Sequence, residues 1–215
     1  MIRLLGTVTA FGVIFLLGEI AHERHGIDGE ATRKWAHIAA GLTSATLPFF
    51  LSRGDIVFLG ALFTGLMAAS KRFGILHGIH EVPRHTWGEV YFPLGLLILA
   101  LAVPLRPFFV FGALVMGLSD GLAGVIGHRF GHVRYGIGTA SKSYVGSAAF
   151  LVCSLAAGTG ALLAAGFGIV LAVSAALGVA AVLTLVEAAL GDGLDNLVLP
   201  PVAGIILLGI VRALR

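Results

Sequence analysis

The sequence predicts an all-α fold, a polytopic bundle of about seven or eight transmembrane helices. Three observations predict it. Of 215 residues, 58% are apolar even without the 31 glycines, and only 12% are charged, about half the share of ordinary soluble domains. Mean hydropathy is +1.00. The apolar residues gather in runs near the length, about 17–25 residues, that a helix needs to cross a bilayer. This composition excludes a disordered chain, which is poor in apolar residues. It also excludes a soluble globule, which would need far more polar surface.

In order, the candidate spans are 4–20, 35–51, 56–70, 89–103, 108–127, 143–164, 168–190 and 196–211. The first follows Met1-Ile2-Arg3 and has some signal-peptide character. Because apolar segments continue to the C-terminus, it is read as a retained span. The shorter segments must borrow residues from their flanks, so seven spans also fits. The stretch from Ser143 to Leu190 carries one charge, Glu187, and is too long for a single crossing. Gly166-Phe167-Gly168 predicts its reversal. With no linker, repeat or low-complexity tract, residues 1–215 form one domain. The lone cysteine, Cys153, excludes an intrachain disulfide.

The net charge of +3 and pI near 9.4 do not point to nucleic acid, because the basic residues are scattered between apolar runs. Eight spans place the loops near 21–34, 71–88, 128–142 and 191–195 on one face, and both termini and the other links on the second. The first face holds nine of 14 basic residues: Arg24, Arg33, Lys34, Lys71, Arg72, Arg84, Arg129, Arg134 and Lys142. The positive-inside rule therefore assigns it to the cytoplasm. All eight histidines and every acid but Asp55 fall on the same side. Among those acids, Glu19, Asp120 and Glu187 sit within or at the ends of apolar helices, where an ionisable group is costly and marks a functional site or a buried partner.

Four segments carry candidate chemistry. In Arg33-Lys34-x-x-His37-x-x-x-Gly41, Arg33 and His37 share a helical face, and Gly41 would admit a neighbouring helix. The two cations would grip a polyphosphate or anchor the helix end at the interface. In Gly117-Leu118-Ser119-Asp120-Gly121-x-x-Gly124, the glycines form a packing face. Asp120 beside them would hold Mg²⁺, receive a cation or pair with a basic residue. Gly136-Ile137-Gly138-Thr139-Ala140-Ser141-Lys142-Ser143-x-x-Gly146-Ser147 reads as a glycine-bearing loop entering a helix, whose N-terminus suits phosphate. It is no Walker A motif, because Ser141 replaces the last glycine and no preceding strand is predicted. Finally, Glu187 ends one span, and Asp195-Asn196 opens the next as helix caps or as oxygen ligands for Mg²⁺. His77, His80, Glu81 and His85 lack zincin spacing and read as a polar interfacial loop. Glu89 starts a span, as a cap or facing the site.

Taken in order, these segments resemble the polyprenol kinase family, which includes phytol, farnesol and dolichol kinases and CTP-dependent diacylglycerol kinases. Phosphatidate cytidylyltransferases are more distantly similar. The resemblance rests on Arg33-Lys34-x-x-His37, Gly88-Glu89-Val90-Tyr91-Phe92-Pro93, Asp120-Gly121 with Gly127, Lys142-Ser143-x-x-Gly146-Ser147, and Glu187 followed by Asp195-Asn196-x-x-x-Pro200. It implies a membrane enzyme that transfers the terminal phosphoryl group of CTP, or another nucleoside triphosphate, to the hydroxyl of an isoprenoid alcohol or diacylglycerol. The expected catalytic residues are Asp120, Lys142, Glu187, Asp195 and His37. Arg33, Lys34, Gly127, Lys142, Ser143, Gly146 and Ser147 are expected to bind nucleotide. Mg²⁺ or another divalent cation is expected on Asp120 and Asp195 with Glu187 and Asn196.

Two other functions compete. A cytidylyltransferase-like nucleotidyl transfer would need paired lysines, a His-Gly-Gly and spaced C-terminal acids that the chain lacks. A small ion-coupled transporter, with Asp120 and Glu187 as translocating carboxylates, would need groups accessible from both faces. The polar residues instead crowd one face.

Overall fold

The computed structural model describes residues 1–80, 86–137 and 140–214. The helices are α1 (Ile2–His25), α2 (Gly29–Thr46), α3 (Arg53–Phe73), the single turn α4 (His77–His80) and α5 (Gly88–Ala102). Then come α6 (Arg106–Leu114), a π-helical segment (Val115–Asp120) and α7 (Gly121–Phe130), which run on as one helix. A two-stranded hairpin, β1 (Arg134–Ile137) and β2 (Ala140–Ser143), precedes α8 (Tyr144–Ala164), α9 (Ile169–Ala189) and α10 (Leu194–Ala213). The eight predicted spans each fall within one long helix or its continuation.

Six helices are long and apolar enough to cross a membrane, and α5 is a shorter apolar one. The remaining long helix, α2, opens with Glu30, Arg33 and Lys34 and is amphipathic. Large apolar side chains such as Val152, Val170 and Leu185 stand more than 60% exposed. In water so much exposed apolar surface would promote association; in a bilayer the lipid solvates it. The architecture is that of an integral membrane protein.

Local chemistry explains the boundaries. The helix α1 stops at Gly26 and α3 at Gly74, both left-handed, where glycine carries no Cβ penalty. Asp28 caps α2 by accepting from Ala31 N at 3.2 Å. Ser52 and Asp55 form a capping box on α3, which accounts for the one acid on the far face. The reversal at 165–168 runs through Gly166 at φ 90°.

Two sequence expectations change here. The glycine-bearing loop is a short antiparallel hairpin, with Tyr135 opposite Lys142 and Ile137 opposite Ala140. A strand does therefore lead into α8, but the glycines stand before it rather than between it and the helix, so the segment is still not a P-loop. The cap of α10 is Gly193 at φ 85°, not Asp195 or Asn196, which lie inside the first turn.

Packing is closest where glycines meet backbone. A Cβ on Gly41 or Gly117 would overlap the other's Cα, Gly121 lies under Ile38, and Gly124 lies under the Lys34 stem. The predicted small-residue face thus seats the α6–α7 helix on α2. Pro200 removes the hydrogen bond that the Asn196 carbonyl would otherwise accept within α10, and Gly95 of α5 is packed directly on that carbonyl. Fully buried Leu99, Phe108, Phe111, Phe150, Leu183, Leu199 and Leu207 fill the centre.

Candidate active site

A polar cavity of about 840 Å³ opens where α2, α7, the hairpin, α8, α9 and α10 meet. Its lining includes every residue expected to be catalytic, nucleotide-binding or cation-binding: Arg33, Lys34, His37, Asp120, Gly127, Lys142, Ser143, Gly146, Ser147, Glu187, Asp195 and Asn196. These residues span more than 160 positions of sequence. Lys142 and Ser143 come from β2, Asp120 from the π-helical segment and His37 from the third turn of α2; Glu187, Asp195 and Asn196 lie near the facing ends of α9 and α10.

Asp120 ends the π-helical segment. A π turn widens the helix and is a frequent companion of functional sites. It also leaves carbonyls poorly served, and His37 Nε2–H donates to the Met116 carbonyl at 2.8 Å. The same nitrogen lies 3.5 Å from Asp120 Oδ2, and the ring meets Phe92 edge-on at 5.0 Å. His37 is therefore held in place by a bond to backbone, and that nitrogen is not available to abstract a proton.

Lys142 reaches from β2 to the ends of two other helices. Its ammonium lies 2.6 Å from Glu187 Oε1 and 3.5 Å from Asp195 Oδ2. Burial by itself would depress this ammonium, but the carboxylates of Asp120, Asp195 and Glu187 outweigh it and hold the pKa above the usual lysine value. Lys142 is a fixed positive charge. Glu187 is 3% exposed, and its Oε2 has no partner among the described residues.

Arg33 and Lys34 both turn toward the cavity. Arg33 donates to Glu30 Oε1 at 2.9 Å, and Lys34 donates to the Gly124 carbonyl at 3.2 Å with Glu30 at 3.8 Å. Ser143 caps α8, its Oγ accepting from Gly146 N at 3.1 Å, which leaves its O–H able to donate into the cavity. Gly127 and Gly146 owe their identity to this corner. A Cβ on Gly127 would stand 2.7 Å from Ser143 Oγ, and one on Gly146 would stand 2.9 Å from the Ala123 carbonyl. Ser147 Oγ lies 2.5 Å from the Tyr135 hydroxyl. Asn196 Nδ2 donates to the Gly88 carbonyl at 2.9 Å.

Sequence reasoning missed several lining residues: Asp28, Glu30, Thr86, His128 and Arg134; Asp192, one of the three acids around the turn before α10, and Ser141 of the glycine-bearing segment also line it. Only Glu30 was within reach of sequence patterning, as an acid three and four residues before Arg33 and Lys34. Glu89 does not cap α5. Its Oε1 pairs with Lys71 and lies 3.2 Å from His80 Nδ1. Of the histidine-rich loop, His77 instead approaches Glu19 and Glu23; Glu81, Arg84 and His85 lie outside the described residues.

The set suits an anion carrying several phosphates. Four cations, Arg33, Lys34, Arg134 and Lys142, line one cavity together with the N-terminal turn of α8, and acidic side chains line it with them. The carboxylates of Asp120, Asp195 and Glu187 are hard oxygen donors of the kind that Mg²⁺ prefers, and the orphaned Glu187 Oε2 is a buried acceptor in want of a positive partner. By donor chemistry the set suits a divalent cation, but its oxygens do not yet converge. Among the described residues only Glu19, Glu23 and His77 gather three candidate ligand atoms within 4.8 Å, and Lys142 stands between Glu187 and Asp195.

No protein-family model matches the chain, and no solved structure does. A phytol kinase from Synechocystis sp. is 31% identical to it over 152 residues, which cover 68% of this chain and 64% of that relative. The chain thus aligns with less than two thirds of the relative's own length. The aligned identity and the ordered motifs now found around one cavity agree, and the chain is a relative of the polyprenol and phytol kinases.

Proposed function

We propose that the protein is a membrane lipid-alcohol kinase that uses CTP, or another nucleoside triphosphate, together with a divalent cation. The observation that carries this reading is a polar cavity that Arg33, Lys34 and Lys142 line together with Asp120, Asp195 and Glu187. The phytol kinase relative supports the reaction class. Phosphoryl transfer is catalysed mostly by positioning and charge neutralisation, and this chain offers both.

The alcohol oxygen forms a bond to the terminal phosphorus as the bond to the bridging oxygen breaks. The nucleoside diphosphate leaves, and the alcohol proton is released. Lys142, Arg33 and Lys34 neutralise charge on the phosphates, and the first turn of α8 presents backbone N–H groups to them. The cation would be held by Asp120, Asp195 and Glu187, and would screen the phosphate charge when bound. Lys142, which bridges Glu187 and Asp195, stands where it can neutralise phosphate charge beside those carboxylates. The cavity lies on the face that carries most of the basic loops, which we assign to the cytosol, where the nucleotide is.

The test is transfer of terminal-phosphate label from CTP or ATP to phytol, farnesol, geranylgeraniol, polyprenols and diacylglycerol by purified protein in nanodiscs. Labelled lipid phosphate and a nucleoside diphosphate are expected. Pyrophosphate release with phosphatidate would instead establish nucleotidyl transfer. No transfer to any alcohol with either nucleotide would sink the kinase reading.

A further inference from the structure

A second space adjoins the polar cavity. It is an apolar cleft of about 80 Å³ between α1, α2, α3 and α5, lined by Phe11, Ala40, Phe63, Met67 and Phe92 among others. Arg33, His37 and Asn196 line both spaces, and Glu89 lines the cleft alone. The cleft follows α2 from Arg33 to Leu47, about 20 Å along the helix axis. At its outer side α1 is only 11% buried over its apolar window, and Phe11 touches Phe63 of α3 at 4.9 Å between ring centroids. Together with Phe15, whose ring lies 6.3 Å from Phe63 and 6.5 Å from Phe11, these two rings wall this part of the cleft.

The polar end of the cleft holds three unsatisfied buried atoms. Glu89 Oε2, Asn196 Oδ1 and Arg33 Nε have no hydrogen-bond partner among the described residues. The Glu89 side chain is 5% exposed, and Asn196 is 4% exposed. Each is fixed by its other atom. Lys71 and His80 hold Glu89 Oε1, and the Gly88 carbonyl holds Asn196 Nδ2. Buried polar atoms are rarely left unpaired without a reason. Two acceptors and one donor at the mouth of an apolar cleft match a group that both donates and accepts, on an apolar tail.

Resting on the kinase reading above, we propose that this cleft, widened by parting of α1 from α3 at Phe11 and Phe63, holds the tail of the acceptor alcohol and that Glu89, with Asn196, accepts a hydrogen bond from its hydroxyl. At about 80 Å³ the closed cleft is smaller than a long tail needs. The ion pair with Lys71 keeps the Glu89 carboxylate charged and pinned, so Glu89 acts as a hydrogen-bond acceptor that orients the hydroxyl. The alcohol oxygen is then turned toward the polar cavity through the opening shared by Arg33, His37 and Asn196. The same chemistry selects a single-chain alcohol. A diacylglycerol would bring a second chain to a narrow cleft and add ester oxygens, which only accept, to a polar end already rich in acceptors.

The experiment irradiates wild-type protein in nanodiscs with a diazirine-bearing long-chain isoprenoid alcohol and maps the adducts by mass spectrometry. Adducts on Phe11, Phe63 or Met67 that unlabelled geranylgeraniol competes away support the proposal. Adducts confined to outward-facing residues such as Val152 or Leu185, or none at all, overturn it. Kinetics supply the second arm. Glu89→Gln should raise KM for geranylgeraniol by roughly tenfold, the size of a hydrogen bond to a charged group, with KM for CTP little changed. A parallel rise in both constants would make Glu89 merely structural and overturn its role. Ser44→Leu should raise KM for geranylgeraniol much more than for prenol, whose tail is too short to reach Ser44, about 10 Å along α2 beyond His37; equal effects overturn the placement of the tail. If wild type phosphorylates no alcohol, the kinase reading fails, whereas competed adducts would still place an alcohol in the cleft. Transfer accompanied by adducts elsewhere fails this proposal alone.

Discussion

Lys142 and Asp120 look equivalent in the sequence, each a charge where a membrane protein can least tolerate one, yet their surroundings give them different jobs. Lys142 neutralises buried Glu187 at 2.6 Å. Lys142→Met should therefore cost about 3–5 kcal/mol of stability, because it strands a buried carboxylate, as well as weaken nucleotide use. The double variant Lys142→Met/Glu187→Gln should recover most of the melting temperature without recovering transfer. Recovery of both would reduce the lysine to a structural counter-ion. Asp120 is partly exposed to the cavity, and its nearest basic neighbour is His37 at 3.5 Å. Asp120→Asn keeps shape and hydrogen bonding but removes the charge offered to a divalent cation. Phosphoryl transfer should fall to near background while the melting temperature in detergent stays within a few degrees. An active Asp120→Asn protein would end its assignment to the cation.

Between elements, the decisive contact is the crossing of α2 with the α6–α7 helix. At Gly41 and Gly117 backbone lies against backbone, with no flexible side chain to give way. Gly117→Ala should cost at least the upper end of ordinary overpacking, about 3 kcal/mol, and would pull Asp120 away from His37. Gly160 of α8 is the control, since a Cβ there meets nothing within 4 Å. Gly160→Ala should leave the melting temperature unchanged or raise it, by relieving about 0.5–1 kcal/mol of helix-interior glycine cost. Thermal melts of the two variants decide whether glycine packing or glycine content sets stability. The hairpin is the other decisive element. Its register puts Lys142 opposite Tyr135, and Arg134 donates across it to the Ser141 carbonyl at 3.0 Å, which steadies the strand that delivers Lys142.

At the scale of the whole molecule, the loops around Asp28, Thr86, Arg134 and Asp192 meet at the cavity. Away from it, Arg53 at the start of α3 donates to the Ala100 carbonyl near the end of α5, and Arg3 donates to the Phe50 carbonyl. In a Cys153→Ala background, single cysteines at His132 and at Gly54, both exposed, should label from opposite sides of sealed vesicles, with His132 on the cytosolic side. Labelling of both from one side would overturn the topology. The cavity belongs to no single helix: α2, α7, β2, α8, α9 and α10 each supply a side chain to it.

The sequence by itself determined the all-helical membrane architecture, the reversal at Gly166, the glycine face and the gathering of charge on one side. Each of these is written in local terms: run length, helical spacing, or the cost of a charge in lipid. Only the tertiary structure decided partners. Lys142 and Glu187 are 45 residues apart, and no periodicity links them; they meet because α9 ends where the hairpin folds back. The hairpin escaped notice because four-residue strands are too short to show alternation. The π turn escaped because it follows from the packing of Gly117 on Gly41 and the claim of His37 on the Met116 carbonyl, not from composition. Glu89 read as a helix start, and its burial between Lys71, His80 and an apolar cleft came from α3 and α5 packing side by side. Charge location is a one-dimensional property of the chain; charge pairing depends on which helix ends the bundle brings together.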